Sequence, residues 1–288
     1  MDGWIILDKD SGMFSRTAGA RVAHVFNNKK FGHIGTLDPM ASGVLPIAIG
    51  NATKMIPFIE EVNPSTKEYL FDIKFGFETD TLDITGTTIR DGGNIPSEAE
   101  IKKILSSFIG EQLQTPPIYS AVHVSGRRAY EIARQDKTVD IPPRKITIYK
   151  LEYTGKTGDL YGFRVLCSRG TYVRSIARDI AQKLGTFATV TIIRRTKSGC
   201  FDIKNAVTLD FLENLVNNGV DVGEYLYPID SGLGDIPVLD IDDESAVLFK
   251  NGGFIDTPGT DGLVRVYSGD FIGIGRIENG KLKPKRII

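Results

Sequence analysis

The chain has 288 residues, 41% of them hydrophobic and 25% charged, the balance of an ordinary soluble protein with room for one large domain and a small one. A net charge of -1 excludes recognition of nucleic acid by bulk positive charge, though not by a local basic track. Two cysteines and three histidines exclude a disulfide framework and a Cys/His metal cluster, and no apolar run approaches membrane-spanning length.

In chain order, the first residues carry no basic stretch ahead of an apolar run, so a cytosolic protein is expected. Residues 31–46 set one acid, Asp38, between Gly32 and Gly35 on one side and Gly43 on the other, with Pro39 directly after it. Pro39 disfavours the helical conformation at Asp38 and the glycines permit tight turns, which predicts an ordered loop. By itself an Asp-Pro pair reads as an ordinary turn more readily than as a loop presenting its acid to a ligand.

Tyr69, Phe71, Ile73 and Phe75 alternate with Leu70, Asp72 and Lys74, predicting a half-buried strand. The stretch around Asp80 and Asp83 is equally compatible with a turn. Between 97 and 110 a helix is expected, with Ser97 and Glu100 as a capping box, Ile101, Ile104, Leu105 and Phe108 as its apolar stripe and Gly110 as its stop. Further strands are expected at 145–153 and at 161–168, the latter with Phe163, Val165 and Cys167 on one side. A second helix is expected from 171 to 184, stopped by Gly185. Val173, Ile176, Ile180 and Leu184 then face the core, while Arg174 and Arg178, four residues apart, share another face.

Strands and helices without regular βαβ alternation predict an α+β fold with a mixed, mainly antiparallel sheet and flanking helices. Basic residues cluster at Lys29 and Lys30, at Arg127, Arg128 and Arg134, at Arg169, Arg174 and Arg178, and at Arg194, Arg195 and Lys197. Singly these read as solvated charges; together they supply a possible phosphate track. Residues 232–237 read as a linker. Short strands with glycine turns follow and end in the basic 281–286 segment, so a boundary is expected at 232/233, between residues 1–232 and a small β domain at 233–288.

Several blocks then stand in a fixed order: Gly3-Trp4 through Lys9, Gly35-Thr36-Leu37-Asp38-Pro39, Lys67-Glu68-Tyr69 and Thr79 through Gly86. Pro116-Pro117 through Arg134, Cys167-Ser168-Arg169-Gly170 through Ile176, and Ile193-Arg194-Arg195-Thr196 follow. From Gly3 to about Val207 this arrangement resembles the TruB family of pseudouridine synthases, and the last 50 or so residues resemble a small PUA-like RNA-binding domain.

The resemblance implies an isomerase that flips a uridine out of RNA, breaks its N1–C1′ bond and rejoins the base through C5, with no metal or other cofactor. It implies that Asp38 is the catalytic carboxylate and that Arg174 pairs with it. Tyr69 would stack on the base and Ile193, where a leucine is usual, would pack on it. Lys9 would support the loop carrying Asp38, and His33 would fill the space the flipped nucleotide leaves. The chain's extent favours the stand-alone members, which act as monomers on uridine 55 in the T-arm stem-loop of tRNA, over those working in guide-RNA particles.

Four further positions depart from the family pattern. Asp10 and Phe14 replace a proline and a threonine, Ile34 stands for a threonine or alanine, and His123 stands where lysine is common, so a less positive RNA face is expected. Two other classes compete with the isomerase. A non-catalytic tRNA-binding or folding protein would not need Asp38, Tyr69 and Arg174 together, and a nucleoside hydrolase would have to admit water.

Overall fold

The computed structural model describes residues 1–62, 66–120, 123–124, 127–128 and 141–288. Its main element is a ten-stranded sheet whose central path runs Val207–Thr208, Gly3–Lys9, Ser42–Ile49, Ala188–Ser198, Lys67–Phe75, Leu160–Cys167, Arg144–Thr157, Gly110–Gln114. Pairing is antiparallel except at two joints, Gly3–Lys9 with Val207–Thr208 and Ser42–Ile49 with Ala188–Ser198. The second joint holds only two residue pairs, Arg194 with Ser42 and Arg195 with Gly43. The sheet's two halves therefore meet over a short seam, and the loop that carries Asp38 enters Ser42–Ile49 there.

The expected strands form for the expected reason. Lys67–Phe75 buries every second residue, and Tyr69, Phe71, Ile73 and Phe75 lie in the core while their neighbours are half-exposed. Leu160–Cys167 does the same through Tyr161, Phe163, Val165 and Cys167, so Cys167 is a core residue. Helices pack on the sheet's apolar face. Glu98–Leu105 has the capping box, Ser97 Oγ accepting from Glu100 N and the Glu100 carboxylate accepting from Ser97 N. It ends before Gly110: a 3₁₀ turn at Ser106–Phe108 finishes it, and Gly110, at φ 108°, opens the next strand. Gly32 also departs from expectation, since it lies in the short strand Phe31–His33 rather than in a turn.

Near the C-terminus a five-stranded sheet is ordered Val238–Asp240, Gly262–Ser268, Asp270–Glu278, Lys281–Ile287, Ile255–Asp256, with helix Asp243–Lys250 against it. The stretch read as a linker is packed. Leu233 and Ile236 are buried with Trp4, Val44, Met55, Phe201 and Ile274 in a cluster joining the two sheets, and Trp4 Nε1 donates to Ile229 O at 2.9 Å. No described helix is long and apolar enough to cross a membrane.

Candidate active site

A cavity of about 270 Å³ opens at the seam between the two halves of the large sheet. Asp38, Tyr69, Arg174 and Ile193 all line it, each supplied by a different element: the 34–41 loop, Lys67–Phe75, the helix Val173–Lys183 and Ala188–Ser198.

The loop is held at several points. Lys9, buried at the end of its strand, donates from Nζ to Asp10 O (2.7 Å), Met13 O (2.8 Å) and Pro39 O (3.3 Å). Burial pulls its pKa down to about 8, with Asp10 and Asp38 pulling the other way. Gly12 N donates to Pro39 O and Ser11 Oγ to Met40 O, each at 2.8 Å. On the other flank Ser15 Oγ lies 2.9 Å from both Leu37 N and Leu37 O. Ala41 N closes a turn on Asp38 O at 3.0 Å. Only glycine fits at 43, where φ is 102° and a Cβ would lie 2.2 Å from Arg195 O.

So fixed, Asp38 meets Arg174, with Nη2 of the arginine 2.8 Å from Oδ2 of the acid. The Arg174 side chain is 4% exposed and that of Asp38 38%, so the arginine forms the wall and the carboxylate faces the cavity. Arg174 also donates to Thr81 O (2.8 Å) and Tyr119 O (3.0 Å), and its Nη1 lies 3.4 Å from Oδ2 of Asp83. Asp83 is buried and accepts in turn from Thr81 Oγ1, Thr85 N and Thr85 Oγ1. The Asp80 and Asp83 stretch is thus a turn, and through Asp83 it also holds Arg174. Paired to two carboxylates and two carbonyls, the buried guanidinium is held in one orientation and meets Asp38 through Nη2 alone, not through both arms of its fork.

Arg174 and Arg178 prove to be unlike. One turn further along the helix, Arg178 is more exposed, pairs with Asp179 at 2.8 Å and donates to Thr115 O at 3.1 Å.

Tyr69 is buried beside Arg195, and burial raises its pKa against the opposing pull of that guanidinium, which keeps the phenol protonated. Ile193 is buried on the same wall. His33 lies away from the lining, with Nε2 3.1 Å from Thr36 Oγ1, a residue that does line it. Burial and Arg195 both lower its pKa, favouring the neutral ring.

The departures from the family pattern are accommodated. Asp10 and Phe14 are exposed and Asp10 serves Lys9 through its backbone carbonyl, while Ile34 is buried in the cluster around Trp4. The side chains of His123, Arg127 and Arg128, and all of Arg134, lie outside the described residues.

Two buried cations of the site are not among its expected residues. Arg195 groups in the sequence with exposed bases, yet it is almost fully buried, donating from Nε to Val44 O (2.7 Å) and from Nη2 to Gly35 O (2.8 Å). Its neighbour Arg194 faces the other way and pairs with Asp8 at 2.7 Å. Lys67 also lines the cavity. The signal was the strand period: Arg195 is two residues from Ile193, and Lys67 two from Tyr69.

Residues 23–173 match the TruB family pseudouridylate synthase (N terminal domain). Residues 174–234 match the tRNA pseudouridylate synthase B C-terminal domain, and 237–288 match the C-terminal region of pseudouridine synthase II TruB. The chain is 38% identical over 301 residues to tRNA pseudouridine synthase B of Caulobacter vibrioides, covering 100% of this chain and 96% of that protein. It is 40% identical over 298 residues to the protein of the same name from Novosphingobium aromaticivorans, covering 99% and 97%. A chain in the crystal structure of a Cbf5-Nop10-Gar1 complex superposes with a TM-score of 0.71 at 25% identity, covering 99% of this chain and 84% of that one.

Proposed function

The chain belongs to the TruB family of pseudouridine synthases, and from that premise we propose that it isomerises uridine 55 in the T loop of tRNA, as a cytosolic monomer. The observation that carries the site assignment is the 2.8 Å pair between Asp38 and the buried Arg174 in the wall of the cavity.

A base stacked in a folded stem-loop cannot reach that carboxylate, so the nucleotide is flipped out, at a cost of a few kcal/mol. Tyr69 and Ile193, neighbours on adjoining strands, form one apolar surface suited to packing against the flipped base. Asp38, paired with Arg174, acts beside C1′ as the N1–C1′ bond breaks. The base turns within the cavity, C5 bonds to C1′, C5 gives up its proton and N1 takes one up, so the product is an isomer of the substrate. Lys9 positions the loop through Pro39. His33, next to Thr36 at the cavity's edge, fills the gap in the RNA. Residues 1–232 carry the chemistry, and residues 233–288, with exposed Lys281, Lys285 and Arg286, bind RNA backbone.

Within the family, the guide-RNA alternative is tested together with this one. An unmodified tRNA transcript and an isolated T-arm stem-loop are incubated with the protein alone and the converted position is mapped. Conversion of one T-loop uridine in both is expected. No conversion without an added guide RNA, or conversion elsewhere, would reject the reading.

A further inference from the structure

Behind Tyr69 the cavity has a second charged end to which the proposed reaction has so far assigned no task. Lys67 and Tyr69 face inward from one strand, and in the adjoining strand Arg195 is the register partner of Tyr69 and Ser198 that of Lys67. A Cβ placed on Gly35 would lie 3.2 Å from Nη1 of Arg195 and 3.4 Å from Nζ of Lys67, so both cations converge on one glycine of the Asp38 loop. Lys67 is 6% exposed, and one of its three donors goes to Ser198 Oγ at 2.6 Å.

Among the described residues neither cation forms an ion pair with a carboxylate. Of the acids in the lining, Asp38 is paired with Arg174, and Glu60 acts on Lys67 only at longer range. Two buried like charges with no counter-ion are a standing cost to the fold, one that falls when negative charge comes to them. Burial first, and Arg195 second, bring the Lys67 pKa down to about 7, which reflects that cost.

Negative charge does arise there in the reaction proposed above, on which this inference rests. When the N1–C1′ bond breaks, its electron pair leaves with the base and spreads onto the uracil oxygens O2 and O4. We propose that Lys67, backed by Arg195, is a catalytic group that donates a hydrogen bond to an oxygen of the departing uracil and stabilises the anion until C5 bonds to C1′. A preorganised donor in a site that excludes water is suited to such developing charge.

The test compares Lys67→Met, Lys67→Arg and wild type in single-turnover reactions at saturating T-arm RNA. The target nucleotide is either uridine or 5-fluorouridine, and the rate is the disappearance of that nucleoside. Fluorine makes the departing base a better leaving group, so it lessens the need for the ammonium. Lys67→Met should slow uridine by about 100-fold, the scale of removing one such donor, and fluorouridine at least tenfold less than that. Lys67→Arg should retain most of the rate. RNA affinity and thermal midpoint should stay near wild type; if Lys67→Met does not fold, Lys67→Gln is read by the same ratio. Equal deficits on both bases, or no deficit on uridine, would overturn the inference while leaving an active wild type. An inactive wild type would instead defeat the isomerase reading.

Discussion

The cavity wall and the basic edge of the C-terminal sheet both present cations, held in opposite ways. Arg174 is buried and tied to two carboxylates and two carbonyls. At the edge, Lys54, Lys283, Lys285 and Arg286 border an open groove of about 580 Å³. There Lys285 and Arg286 are exposed, Lys283 shares Glu278 at 3.4 Å, and Phe254 lies 62% exposed beneath the Lys283 ammonium. A cation fixed by many partners sets geometry, and its loss damages a reaction step. Cations free to move in solvent set affinity, and their effect is screened by salt.

The largest break in this contrast is Asp38→Asn, which keeps the shape and removes the charge that Arg174 faces. Single-turnover pseudouridine formation should fall about a thousandfold or more, a scale known for catalytic carboxylates, with tRNA affinity largely retained. Activity within tenfold of wild type would reject Asp38 as the acting group. Arg174→Lys comes next: an ammonium cannot bridge Asp38, Asp83 and two carbonyls at once, and a loss on the order of 100-fold in the same assay is expected.

At the edge the effect moves from rate to binding. Removing the whole C-terminal sheet would be a poor test, because Ile236 and Ile274 are buried in the same cluster as Trp4 and each such side chain contributes about 1.5–3 kcal/mol. The combined Lys283→Gln, Lys285→Gln and Arg286→Gln variant spares that core. Its affinity for the T-arm should weaken and its log-log salt slope flatten by about one unit for each phosphate no longer neutralised, with the rate at saturating RNA unchanged. An unchanged slope would mean that the edge touches no phosphate. The smallest effect belongs to Arg178→Lys. That partly exposed pair with Asp179 is worth at most about 1 kcal/mol, so turnover should stay within threefold. If it matched the Arg174→Lys loss, burial would not be what separates these two arginines.

Much of the fold was legible in the sequence because the elements obey local rules. Period-two burial in Lys67–Phe75 and the Ser97–Glu100 capping box depend on near neighbours alone. The residues gathered at the cavity were readable only through the family resemblance, since Asp38, Tyr69, Arg174 and Ile193 meet by long-range strand pairing. What stayed hidden were facts set by tertiary context. Arg174 and Arg178 lie on similar helix positions and differ only in what packs over them. Arg194 and Arg195 differ by the face each strand position takes. Leu233 and Ile236 sit in a glycine-rich stretch that reads as a linker but closes a cluster between two sheets.

The most direct test of the central claim measures pseudouridine and free uracil together in one reaction of the wild-type protein with unmodified tRNA. A cavity that keeps the released base beside C1′ until C5 reattaches predicts one pseudouridine per converted tRNA and no free uracil. Free uracil in amounts comparable to the uridine consumed would show a hydrolase, and tRNA bound but unaltered would show a binding protein. Either result would contradict the account.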